Sequence, residues 1–158
     1  MRIAIGSDRR GFEYKSQVIE YLKNLGHEVV DVGPDNDRFP VDYPIYGMRV
    51  GKLVSTNRCN RGIVICATGI GIMIACNKIP GIRCGMGYND EVCRLMREHN
   101  DANVIAFGQN QMSIEEIKKR LSIFLNSEYL SGYHDSRIQQ IRDIENGKDI
   151  NQTPYIDY

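Results

Sequence analysis

The chain of 158 residues is predicted to fold as an α/β domain, a three-layer Rossmann-like arrangement of a five-stranded parallel sheet flanked by helices, with one further helix towards the C-terminus. Three observations lead there. Short apolar, β-branched segments alternate along the chain with segments whose apolar residues recur at helical spacing. Residues 63–72, Ile-Val-Ile-Cys-Ala-Thr-Gly-Ile-Gly-Ile, run straight from such a strand into a glycine-rich helix start. Apolar residues make up 42% of the chain and charged residues 25%, ordinary values for one domain with a full core.

Each element has its own signal. Arg2–Ser7 is apolar and β-branched, a first strand. Tyr14, Val18, Leu22 and Leu25 share one face of a helix over 11–25, stopped by Gly26. A second strand over 28–32 ends at Gly33-Pro34, and a polar loop, 35–42, leads to a helix around 44–54. Residues 62–66 form the third strand and launch a helix over 69–77. A fourth strand over 82–86 precedes a helix over 89–98, and a fifth strand covers 104–107. Ser113-Ile-Glu-Glu116 reads as a capping box, with Met112 and Ile117 as its staple. The final helix, 134–145, carries Ile138, Ile141 and Ile144. Residues 1–145 are expected to form a single domain, with 146–158 a polar tail that needs a partner to be ordered.

Composition excludes several classes. Twenty Lys plus Arg balance 20 Asp plus Glu, leaving no global field for nucleic acid or an anionic membrane. No apolar run approaches the roughly 20 residues that cross a bilayer. The N-terminus reads as a strand, not a signal peptide. Five cysteines (59, 66, 76, 84 and 93) with no C-x-x-C spacing suggest neither a disulfide framework nor a zinc site. A reduced, cytoplasmic protein is expected.

In parallel α/β sheets ligands bind at the carboxyl ends of strands. Three polar segments fall there: 7–11, 66–71 and 107–108. Cys66 and Thr68 stand where a buried strand meets the positive end of a helix, a place that favours a thiolate and a bound anion or oxyanion. Such a thiolate serves as nucleophile or as base towards a carbon-bound proton; a buried structural thiol is the commoner fate of a cysteine. Gly69-Ile-Gly71 is only half of a dinucleotide fingerprint and follows the third strand, so no nucleotide cofactor is expected. On spacing alone, His99 is better explained as a surface loop residue than as a catalytic one. His134 and Arg137 lie one helical turn apart and either grip a phosphate or decorate a solvated face. Arg9-Arg10 beside Asp8 is a cationic spot at a strand end, and His27 reads as structural.

Together, Ile3-Ala-Ile-Gly-Ser-Asp8, Asp42-Tyr-Pro44, the 62–71 segment, Asn77-Lys-Ile-Pro-Gly-Ile-Arg83, Arg97-Glu-His-Asn-Asp-Ala-Asn103 and Gly132-Tyr-His-Asp-Ser-Arg137 resemble the type B ribose-5-phosphate isomerases and their galactose-6-phosphate isomerase relatives. The matches run in order over 1–145. The resemblance implies aldose–ketose isomerisation of a sugar phosphate with no metal and no organic cofactor. It implies Cys66 as the base, with Thr68 and the N–H groups of Gly69, Ile70 and Gly71 as donors to an enediolate. It assigns ring opening to His99 aided by Asp8, sugar hydroxyls to Tyr43 and Asn100, and phosphate to His134 and Arg137. It also implies a homodimer or tetramer whose sites are shared between subunits. The chain departs from the family pattern at Arg9, where histidine is usual, at Asn110, where arginine or another cation is usual, and at Tyr133, where arginine is usual. Ala67, for a glycine, and Gly85-Met-Gly87 are further departures. Arg9 either relocates a phosphate contact or signals another substrate, such as a hexose 6-phosphate or a free aldose. A sugar-phosphate-binding homologue without catalysis and a cysteine hydrolase are the rival classes.

Overall fold

The computed structural model describes residues 1–153, and residues 154–158 of the expected tail lie outside the described residues. Five strands, β1 (Arg2–Ser7), β2 (Glu28–Asp31), β3 (Arg61–Cys66), β4 (Cys84–Met86) and β5 (Val104–Gly108), form one sheet in the order β2-β1-β3-β5-β4. All four pairings are parallel, so each crossover needs a helix. The helices are α1 (Phe12–Asn24), α2 (Tyr43–Ser55), α3 (Ile70–Cys76), α4 (Asp90–Glu98), α5 (Ile114–Asn126) and α6 (His134–Glu145).

The strands are apolar on both faces because both are covered. Ile3, Ile5, Ile63, Ile65, Ile105 and Phe107 face α1 and α5, meeting Val18, Leu22, Ile117, Leu121 and Phe124. Their alternate neighbours Ala4, Val64, Val104 and Ala106 face α2 and α3, meeting Tyr46, Val50, Val54, Ile72 and Cys76. Each Val, Leu, Ile or Phe side chain among these contributes about 1.5–3 kcal/mol by leaving water. At the start of α5, Ser113 and Glu116 close the predicted capping box, each side chain accepting from the other's backbone N–H.

Boundaries moved by one or two residues at several ends. β2 stops at Asp31, β4 starts at Cys84, and a short 3₁₀ turn over Arg9–Gly11 precedes α1. Leu25, predicted to share the buried face of α1, is 51% exposed because the helix ends at Asn24 and Gly26 turns away with φ +80°. In α6 only His134 and Ile138 are buried. Ile141 and Ile144 instead line a groove of about 470 Å³ with Ile82 and Met96. The described part of the tail returns to α6, where the Gln140 amide donates to the Asn151 carbonyl at 2.7 Å.

The edge strand β2 is pinned from below. Lys15 of α1, fully buried, donates to both carboxylate oxygens of Asp31 at 2.7 and 2.8 Å and to the Pro34 carbonyl at 2.8 Å. That bond sets the origin of the loop that leads to Tyr43.

Candidate active site

The chain runs from β1 to β2 on one side and back across to β3 on the other, so strand order reverses between β1 and β3. The carboxyl ends of those two strands carry Asp8 and Cys66. Backbone bonds hold them together: the Asp8 N–H donates to the Ile65 carbonyl at 3.2 Å, while Gln109 and Asn110 N–H groups donate to Cys66 and Ala67 carbonyls at 2.9 and 3.0 Å.

Cys66 is 5% exposed, and its Sγ accepts the Gly69 N–H at 3.0 Å. That bond exists because Gly69 takes φ +81°, which points its N–H back to the sulfur and leaves no room for a Cβ beside the Phe107 carbonyl. An N–H aimed at sulfur favours negative charge there. Thr68 is exposed beside it, its Oγ1 accepting the Ile70 N–H at 3.4 Å. The Tyr43 ring lies flat against Gly71, where a Cβ would stand 2.8 Å from two ring carbons. Asp8 accepts the Gly11 N–H at 2.9 Å, and burial raises its carboxyl above the usual range more than that bond lowers it. Burial also pushes up the thiols of Cys59, Cys84 and Cys93, the last to about 12, which marks them as structural.

Beside this cluster opens a polar cavity of about 410 Å³ lined by Arg9, Arg10, Glu13, Asp37, Gln109 and Asn110. The arginine gained at 9 and the asparagine at 110 therefore border one space. Gln109, to which the sequence reading assigned no role, also fixes the α1 start by accepting the Tyr14 N–H at 3.1 Å. Only its place after a strand end hinted at that.

His99, Asn100, His134 and Arg137 lie elsewhere. The His99 and His134 rings stack at 4.4 Å, and Tyr133 packs on His134 at 4.0 Å. Arg137 sits over the Tyr133 ring at 5.1 Å and donates to the Tyr133 carbonyl at 2.7 Å. Burial, then the neighbouring His99 and Arg137, lower the His134 pKa. Behind this group Arg83 donates to the Asn100 and Asp101 carbonyls, both at 3.0 Å through Nε.

The two groups stand at opposite ends of the sheet. Cys66 pairs with Gly108 at the carboxyl end of β5, whereas His99 and Asn100 end α4 just before β5 begins. One strand of that length separates them by roughly 15 Å. Within one chain, then, Asp8, Arg9, Tyr43, Cys66, Thr68, Gly69, Ile70 and Gly71 come together, and so do His99, Asn100, His134 and Arg137, but the two sets do not meet. Among the described residues no three His, Cys, Asp or Glu side chains gather as a metal site, and no helix is long and apolar enough to cross a membrane.

Residues 3–141 match the family model described as Ribose/Galactose Isomerase. The chain belongs to that ribose/galactose isomerase family. Among its relatives is ribose-5-phosphate isomerase B of Escherichia coli K12, 38% identical over 145 residues that cover 91% of this chain and 96% of that one. Ribose-5-phosphate isomerase B of Clostridium thermocellum superposes with a TM-score of 0.91 at 41% identity, covering 93% and 99% of the two chains. The Mycoplasma genitalium ribose-5-phosphate isomerase B, solved with bound ribulose-5-phosphate, superposes at 0.88 with 32% identity over 92% and 96%. The isomerase family thus shares the whole sheet and its six helices with this chain.

Proposed function

We propose that this chain is an aldose–ketose isomerase interconverting ribose 5-phosphate and ribulose 5-phosphate through an enediolate. The observation that carries the reading is the Gly69 N–H on Cys66 Sγ at 3.0 Å, within a strand-end cluster that also holds Asp8 and Tyr43. Cys66 takes the proton from the carbon beside the carbonyl and returns it to the neighbouring carbon. Thr68 and the N–H groups of Gly69, Ile70 and Gly71 donate to the enediolate oxygen formed between the two steps. His99, with Asp8, opens the sugar ring; Tyr43 and Asn100 hold hydroxyls; His134 and Arg137 take the phosphate. Arg137 supplies a positive charge there. Arg9 and Arg10, on the cavity next to Cys66, favour a phosphorylated substrate over a free aldose.

The roughly 15 Å between the two half-sites requires a second copy to bring His99 to Cys66. The working unit is a homodimer, or a tetramer of such pairs. The domain is read as 1–145, with the segment from 146 onwards an appendage.

A coupled isomerase assay with ribose 5-phosphate tests both parts. Cys66→Ala and His99→Asn are each expected to lower kcat by about 10²–10⁴-fold. When the two inactive chains are unfolded and refolded together, mixed dimers regain one intact site each, so about a quarter of the wild-type activity returns. Full turnover in Cys66→Ala removes the thiol from the mechanism; no recovery on mixing removes the shared site.

A further inference from the structure

The amino end of the sheet holds a charge imbalance that the isomerase reading does not use. Arg61 at the start of β3, Arg83 before β4 and Arg97 of α4 converge there on one carboxylate, Asp101. Both oxygens of that carboxylate are taken. Arg83 Nη2 donates to Oδ2 at 2.7 Å, and Arg97 Nη1 donates to Oδ1 at 2.8 Å. Arg97 is 3% exposed, and its Nη1 also donates to the Ala102 carbonyl at 2.6 Å. Glu28 is engaged by Arg2 at 2.8 Å, Glu98 by Arg94, and Glu145 accepts the Gly81 N–H at 3.0 Å.

Arg61 is left over. Its guanidinium donates to the Asn60 carbonyl at 2.8 Å and makes no ion pair among the described residues. It is half-buried, and burial together with the positive charges of Arg97 and Arg83 lowers its pKa, against Asp101 alone. A partly desolvated cation facing like charges costs free energy unless a counter-charge reaches it. The space for one exists. Arg61 and Arg83 border a polar cavity of about 290 Å³ with Asn57, Asn60 and Asn103, and with Asp101, whose two oxygens are already held by Arg83 and Arg97.

We propose that this cavity binds an oxyanion of the phosphate class, inorganic phosphate or a small phosphomonoester, on the Arg61 guanidinium. The site is separate from both catalytic half-sites. It adjoins the Asn100–Asp101 backbone through Arg83, so an occupant braces the loop that carries His99.

The test uses inorganic phosphate and the full chain with ¹⁵N-labelled arginine. Arg137→Gln serves as background, because it weakens phosphate binding at the proposed substrate end. On titration the Arg61 Nε–H resonance, assigned by its loss in Arg61→Lys, is expected to move saturably in wild type and in Arg137→Gln alike. Adding Arg61→Gln to that background is expected to weaken phosphate binding about tenfold or more, as loss of a charge-assisted fork does. The single Arg61→Gln variant is expected to keep its KM for ribose 5-phosphate. A resonance that does not respond, or a double variant that binds phosphate as the Arg137→Gln parent does, overturns the proposal. Should Arg61→Gln fail to fold, the titrations of wild type and Arg137→Gln decide alone. Neither depends on isomerase activity.

Discussion

The two ends of one sheet are built by different means. At the carboxyl end the backbone does the positioning: Gly69 delivers its N–H to Cys66, and strand-end N–H groups fasten the 66–67 turn. At the amino end side chains hold one another, with His99 stacked on His134 and Asp101 clamped by Arg83 and Arg97. The backbone-held end has little freedom to shift without disturbing β1, β3 and β5. The side-chain-held end responds to charge and to pH.

Three experiments sharpen that contrast. The largest effect is expected at the amino end, in stability. Asp101→Asn leaves Arg97, 3% exposed, without its carboxylate, and a cost of about 3 kcal/mol in urea unfolding is expected, the low end for a buried pair because Asp101 is 30% exposed. Asparagine suits the positive φ of 46° at that position, so charge is what the experiment removes. An unchanged midpoint would mean that the clamp contributes nothing.

Next comes the carboxyl end, in rate. Gly71→Ala places a Cβ 2.8 Å from the Tyr43 ring, which must then move off the turn. A displacement of that order is expected to lower kcat/KM about 100-fold, while the melting temperature changes little, since Tyr43 is 42% exposed. Wild-type kinetics in this variant would separate Tyr43 from the site.

The smallest effect concerns acid. His134 has a folded pKa below its unfolded value, so the unfolded chain binds the proton more readily. Stability is therefore complete above the ordinary histidine range near pH 6.5 and is lost as pH falls through that range towards the lowered value. His134→Asn is expected to flatten this part of the stability profile, measured by thermal unfolding across pH. A profile identical to wild type would place the titration elsewhere.

Local chemistry made much of the fold readable. Ser113 and Glu116 announce their capping box within four residues, and the strand-to-helix turn at Cys66–Gly71 carries its own glycines. What depends on distant partners was not readable. His99 meets His134 across 35 positions of chain, and spacing alone left both with bland explanations. The arginines of the amino end come from three separate segments, and only the folded sheet brings them to one carboxylate. Ile141 and Ile144 showed helical periodicity, but periodicity names a face and not what that face meets. The separation of Cys66 from His99 is a property of the connections, because α4 carries the chain from one end of the sheet to the other.

Lys15 has a consequence for how this enzyme's pocket can vary. By tying Asp31 and the Pro34 carbonyl to α1, it fixes the point from which residues 35–42 set out towards Tyr43. The far end is fixed too, by the helix that Tyr43 begins. An exposed span held at both ends is tuned cheaply, since doubling a loop's length costs only about 0.6 kcal/mol. The rim of the pocket can thus be lengthened or rewritten while the tyrosine at its end stays seated.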